Sequence, residues 1–539
     1  MKYKIKKLFS VFNLYTSSLL SGTLMGLTVA PFNVWFLAWI ALAPLWVLVI
    51  EESKNLQGKR KNFPLSPLLW GIGYHGLALY WITGIHPMTW MGVPWLASLG
   101  IALFCWTFIT LWGAAIVAVW AIAMRMISSE NGFTRVLIGT AIWCGLEALW
   151  SHGALWWSSL SYTQSPYNLV ILHLGQLSGS SAVTAAIVAV NGLLAEAWIT
   201  NRRDAESAER ISLVPLGFVN KYLAIAAALL ITLHVIGFSL YSRPLVEPPE
   251  TALKVGIIQG NVPNEIKLYP EGFRRAIEGY TTGYLTLANQ GINAVLTPEG
   301  ALPFFLRDLK ETSLISAIRE KGVVAWIGAF GERGRSYTNS LFTFTGNGEI
   351  FSRYDKAKLV PIGEYVPFEQ ILGGIIQRLS PLDEHQVPGS PNQVFNTPFG
   401  RAIVGICYES AFSEQFRRQA AAGGEFILSP SNDAHYSAAM PAQHHAQDIM
   451  RAIETDRWGV RATNTGYSAF VDPHGRTLWI SRHNTYETHA ETIYRRQTQT
   501  FYVRWGDWLT PLLLGLAALA WFVESIHRNV QANNQPSKK

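Results

Sequence analysis

The chain has 539 residues, 49% hydrophobic and only 15% charged, with 21 Trp and a formal net charge of +7. Soluble proteins carry roughly 25% charged residues, so the composition excludes one uniformly soluble globule. The basic residues cluster between apolar runs, which reads as membrane topology rather than nucleic-acid binding, and three cysteines imply no disulfide framework.

Residues 1–245 are almost continuously apolar. A spanning helix needs about 20 mostly apolar residues, which predicts seven spans here, at 11–29, 32–50, 66–85, 96–124, 134–151, 179–199 and 221–241. An eighth follows at 505–525. The basic start, Met1 to Lys7, has the look of a signal peptide. Further spans follow closely without a small-x-small cleavage site, so the first span is expected to be retained. The spans define an N-terminal membrane domain (1–245), a globular domain (246–504) long enough to bury its own core, and a C-terminal span with its tail (505–539).

Lys and Arg occupy alternate loops. They appear at Lys2 to Lys7, at Lys54 to Lys61, at Arg125 and Arg135, at Arg202 to Lys221, and at Arg528, Lys538 and Lys539. The loops near Pro31, at 86–95 and at 152–178 have none. By the positive-inside rule, both termini are expected in the cytoplasm and 242–504 on the opposite side, the periplasm of a Gram-negative-type cell. Glu147 lies within a span, where a charge signals either function or a structural hydrogen bond between helices. His75 and His173 read as packed or interfacial.

In the globular domain, strands are predicted at 254–259, 293–298, 323–330, 339–345, 350–355, 401–406, 425–430, 458–464 and 467–472. Helices are predicted at 271–290, 309–321, 413–422 and 441–456. This alternation indicates an α/β domain. Glu299, Lys356 and Cys407 each stand at the end of an apolar strand, where open sheets place ligands. A thiol with an ordinary pKa of about 8.5 is mostly protonated at neutral pH. A carboxylate can take its proton, and an ammonium can stabilise the thiolate and a later oxyanion. By spacing alone, a buried inert Cys beside an unrelated Lys and Glu remains open.

The residues around these three carry a resemblance. They are Val255 to Asn261, Pro298-Glu299 with Ala301-Leu302-Pro303, Tyr354 to Pro367, Gly405 to Glu409, Ser431-Asn432-Asp433 and Arg461 to Gly466. The globular domain resembles the carbon–nitrogen hydrolase (nitrilase) superfamily. With its spans, the chain is similar to the apolipoprotein N-acyltransferase family. The resemblance implies a four-layer αββα sandwich with a Glu-Lys-Cys triad. Glu299 would be general base, Lys356 the thiolate and oxyanion stabiliser, and Cys407 the nucleophile, with Glu364, Tyr408 and Glu409 in support.

The implied reaction is ping-pong acyl transfer, as part of lipoprotein maturation at the bacterial inner membrane. A phospholipid acylates Cys407 as a thioester. The α-amine of the S-diacylglyceryl-cysteine of an apolipoprotein then takes the chain. The bilayer, the phospholipid donor and the diacylated acceptor are the expected partners of a monomer needing no metal or cofactor. The alternative is a membrane-tethered amidase or nitrilase-type hydrolase. The chain departs from the family at Leu268, Thr297, Gly300 and His435, and Thr297 and His435 are candidate substrate-pocket positions.

Apolar residues from Phe368 to Leu379 recur at helical spacing and read either as a lid guiding lipid or as a helix packed on the core. His435, His444 and His445 are expected on the surface or supporting the site, not on a metal.

Overall fold

The computed structural model describes residues 2–55, 65–127, 129–208, 220–361, 363–365 and 386–533. The segment 368–379, with its two readings, lies outside the described residues.

The membrane half begins with α1 (Lys2–Gly26), α2 (Ala43–Asn55), α3 (Leu65–Ala78) and α4 (Trp95–Met126). It continues with α5 (Gly132–Ser151), α6 (Ser180–Ala208) and α7 (Lys221–Tyr241). Asparagines start two of these helices. Asn131 accepts from Phe133 N at 2.9 Å, and Asn220 accepts from Tyr222 N at 2.9 Å, satisfying amides that have no partner inside the helix.

Among the described residues, six segments are long and apolar enough to cross a membrane: Trp35–Glu52, Trp95–Met126, Gly132–Ser151, Ser180–Asp204, Lys221–Tyr241 and Leu509–Gln531. The other two predicted spans, 11–29 and 66–85, correspond to α1 and to the shorter α3, which gives way to a 3-10 turn at Tyr80–Ile85. These two helices pack closely through small residues. A Cβ at Gly22 would collide with the Trp70 carbonyl, and one at Gly73 with the Leu19 carbonyl.

Ion pairs gather the Lys- and Arg-bearing ends. Arg125 meets Glu52, Arg202 meets Glu51, and Arg135 meets Glu196 in a buried pair. Glu147 is a structural knot, because Leu160 N, Trp143 Nε1, Ser159 Oγ and Thr184 Oγ1 all donate to it within 3.1 Å.

The globular domain contains two six-stranded sheets. The first runs through β1 (Ala252–Gln259), β2 (Ala294–Leu296), β3 (Val324–Arg333), β4 (Ser336–Phe344) and β5 (Ile350–Asp355). The second holds β6 (Phe395–Thr397), β7 (Gly400–Val404), β8 (Phe426–Ser431), β9 (Gly459–Thr463), β10 (Ala469–Val471) and β11 (Thr477–Ile480). The last strand, β12 (Glu487–Tyr494), returns antiparallel to β1 and completes the first sheet in the order β12-β1-β2-β3-β4-β5. The second is ordered β11-β10-β9-β8-β7-β6.

Within each sheet three strands are parallel, β1-β2-β3 and β7-β8-β9. These are the near-continuous apolar runs expected of strands covered on both faces. Sequence reading found all but β6, β11 and β12.

Three apolar clusters separate four layers. Val255, Leu296, Trp326, Phe426 and Val460 fill the space between the sheets. Ile258, Ile327, Tyr284 and Ile318 join the first sheet to α8 (Pro270–Ala288) and α9 (Ser313–Lys321). Ile403 and Ile427 meet Phe416 of α10 (Ser413–Ala421) behind the second sheet.

Beside α10 lies α11 (Ala439–Thr455), buried along nearly its whole length between the second sheet and the membrane half. Gln443 on α11 fixes that contact. It accepts from Trp81 Nε1 (3.1 Å) and Trp157 Nε1 (2.9 Å), and donates to the carbonyls of Ala30 (2.9 Å) and Ala78 (2.8 Å). The globular domain therefore rests on the end of the bundle whose loops lack Lys and Arg. The chain closes with α12 (Leu509–Asn533).

Candidate active site

Glu299, Lys356 and Cys407 converge at the seam of the two sheets. Glu299 lies in the turn after β2. Gly300 follows it with φ +51°, and the turn is pressed so close to β3 that a Cβ on Gly328 would collide with the Pro298 carbonyl. Lys356 is the residue after β5, and Cys407 begins a 3-10 turn after β7.

Lys356 is 1% exposed. Its Nζ donates to Glu299 Oε1 at 2.8 Å and to Glu364 Oε1 at 2.7 Å. Burial alone would discharge the amine, but the two carboxylates outweigh it and hold Lys356 well above the usual lysine range. Glu299 also accepts from Asn339 Nδ2 (2.7 Å) on Oε1 and from Asn432 N (3.0 Å) on Oε2. Glu364 is anchored by Val360 N at 2.7 Å.

Cys407 is buried, and its φ is +52°. This left-handed conformation costs a non-glycine residue of order 1–3 kcal/mol and persists only where the surroundings impose it. Burial and the Glu299 carboxylate push its thiol well above the ordinary range, while Lys356 pulls the other way. Cys407 is therefore held as a protonated thiol at neutral pH.

Two groups hold the Cys407 turn. Glu409 accepts from Ile406 N at 2.7 Å, and from Ala357 N and Lys358 N at 2.7 and 3.1 Å. It thereby ties the Cys407 turn to the segment that carries Lys356. His444, on α11, meets the Cys407 carbonyl through Nε2 at 2.8 Å. Its Nδ1 lies 3.1 Å from Asp433 Oδ1 and 2.9 Å from Arg461.

Tyr408 points toward the membrane half. Its hydroxyl donates to the Ala154 carbonyl at 2.6 Å and accepts from Trp156 N at 3.0 Å, and its ring stacks on Trp157 at 6.2 Å.

Other expected positions fall differently. Thr297 is 1% exposed, and its hydroxyl is engaged by the β3 backbone, at Gly328 N (3.0 Å) and Trp326 O (3.3 Å). It fastens the turn after β2 to β3. His435 stacks on Trp90 at 5.9 Å. His444 and His445 are buried, contrary to a surface position, because the membrane half covers α11.

Cys407, Asp433 and His444 bring potential metal-ligand atoms within 4.8 Å of one another. However, Arg461 already lies 2.9 Å from both Asp433 Oδ2 and His444 Nδ1, so a guanidinium supplies the positive charge there. Sequence reading left His444 as a surface or supporting residue without naming its partner Cys407, and it missed the buried Lys267, whose Nζ reaches the Glu299 carbonyl at 3.3 Å.

Two covered sheets flanked by helices, with Cys, Lys and Glu at their seam, define a hydrolase-like fold able to handle acyl groups through a thiol. Comparison with known proteins agrees. Residues 255–501 match the carbon-nitrogen hydrolase family, and residues 21–193 match the apolipoprotein N-acyltransferase N-terminal domain. An apolipoprotein N-acyltransferase of Nostoc sp. is 69% identical over 94% of this chain and 98% of its own length. Those of Synechocystis sp. and Thermosynechococcus vestitus are 48% and 42% identical, covering 93% and 95% of this chain and 99% and 96% of their own. The chain belongs to the apolipoprotein N-acyltransferase family, and it is a membrane acyltransferase.

Proposed function

We propose that the chain transfers an acyl group from a phospholipid to the α-amine of a diacylated lipoprotein through a thioester on Cys407. The observation that carries this is Lys356, bonded at once to Glu299 and Glu364 beside a strained, buried thiol. Glu299 takes the thiol proton as Sγ attacks the ester carbonyl, and Lys356 stabilises the oxyanion. The carbon–oxygen bond breaks, and Glu299 returns the proton to the departing lysophospholipid. In the second half, the neutral amine attacks the thioester. Glu299 takes a proton from the amine and delivers it to the leaving thiolate, leaving an amide and a free thiol.

The bond from Tyr408 to the 152–157 loop supports a membrane-held reaction. Both substrates are lipid-anchored, and a site at the interface avoids extracting an acyl chain at about 0.8 kcal/mol per CH₂. The Lys- and Arg-bearing loops are assigned to the cytoplasmic side of the inner membrane. The globular domain is assigned to the periplasm.

The test is mass spectrometry of the protein incubated with phospholipid alone, then with a diacylated lipopeptide. An acyl adduct on Cys407, stable until the lipopeptide clears it as an amide, is expected. Rapid loss of the adduct to water would favour the hydrolase, and no adduct on folded protein would refute the nucleophile.

A further inference from the structure

One buried cation takes no part in those steps. Lys267 ends the short helix Asn264–Lys267 and is 9% exposed. An ammonium has three donor hydrogens. This one makes a single hydrogen bond among the described residues, the 3.3 Å contact with the Glu299 carbonyl. The space beside it is open: a Cβ built on Gly300 would stand 3.6 Å from Nζ and meet nothing closer.

A buried charge without a carboxylate partner costs several kcal/mol, and Lys is almost never fully buried unless paired. Burial lowers Lys267 to about 8, against the pull of Glu299 and Cys407, so the group still carries its charge at neutral pH. It acts electrostatically on Cys407 and on His435. His435 in turn stacks on Trp90, from the segment between α3 and α4, at 5.9 Å and 15°. The cation is thus coupled both to Cys407 and to a histidine that stacks on the membrane half.

We propose that Lys267 anchors the phosphodiester of the acyl donor, with His435 and Trp90 flanking its head group. This rests on the reading of Cys407 as the nucleophile toward a phospholipid ester. In a glycerophospholipid only the short glycerol backbone separates the ester from the phosphate, so an ester carbonyl at Sγ brings the phosphate close by. Lysine suits the task as a compact charge that needs no bidentate geometry.

The experiment uses the full chain in micelles and reads the initial rate of acyl-Cys407 formation. Two donors with the same acyl chain are compared, a diacyl phospholipid and an uncharged p-nitrophenyl ester. Lys267→Gln is expected to lower the phospholipid rate at least about tenfold more than the ester rate, through KM more than kcat, with Lys267→Arg recovering part of it. A smaller difference between the donors overturns the proposal and assigns Lys267 to the thiolate. A variant that misfolds loses both rates together, so Lys267→Met with its melting midpoint measured separates collapse from recognition. Wild-type protein giving no adduct with either donor would instead refute the nucleophile itself.

Discussion

At the scale of single residues, the site is a set of charges kept in balance. Glu364→Gln keeps the shape of the side chain but removes one of the two carboxylates that hold Lys356 charged. A hydrogen bond to a charged group contributes about 1.5–3 kcal/mol, so acylation should fall roughly ten- to hundredfold, read from the rate of adduct formation. The raised Cys407 thiol sets a second expectation. In a Cys105→Ala, Cys144→Ala background, iodoacetamide labelling should rise only above the ordinary thiol range of about 8.5. Lys356→Met should push the midpoint higher still, because its ammonium lowers the thiol. Labelling already complete at neutral pH would mean a resting thiolate. His444→Ala should slow acylation about tenfold or more by releasing the Cys407 carbonyl, and His444→Gln, which keeps a donor, should recover most of it. A purely structural histidine would give both variants the same loss of melting temperature without that split.

At the scale of elements, what the sequence made legible follows from covering. Parallel strands buried on both faces are apolar runs, so β1, β2, β3, β7 and β8 stand out, and with β2 and β7 the positions of Glu299 and Cys407 just beyond strand ends. β11 and β12 are half-covered and carry polar residues, and β6 is three residues long, so their patterns are weak. α11 deceives in a different way. Gln443, Gln447, Arg451 and Glu454 recur at helical spacing, which on a lone helix marks a solvated face. Here that face is buried, because the membrane half satisfies it: Ser180 donates to Glu454 at 2.9 Å, and Gln443 is saturated by four partners. Gln443→Leu would strand two indole N–H groups and two carbonyls at about 1–3 kcal/mol each. A fall of several degrees in melting midpoint and faster proteolysis between 242 and 254 are expected.

For the whole molecule, the two halves form one structure. Excised residues 246–504 would expose the apolar side of α11, with Met440, Ile449, Met450 and Ile453, and leave Tyr408 without its partners. The fragment should aggregate on size exclusion or fail to form the adduct, whereas an active soluble monomer would mean that the membrane half serves only as an anchor. The grouping of Lys and Arg at one end of the bundle was legible from the sequence. The tight docking at the other end was not, since it depends on carbonyls and indoles brought together from three separate segments of the membrane half, near 30, 78–81 and 154–157.

Glu299 follows β2 of the first sheet and Cys407 follows β7 of the second, so the spacing between the two side chains depends on how closely the sheets pack. That packing is set deep in the core, where Trp326 of one sheet meets Phe426 of the other at 5.8 Å. A substitution there touches no substrate, yet it would alter the reach of proton transfer. Core volume in this protein therefore acts as a kinetic parameter, and drift at such positions would be constrained by rate as well as by stability.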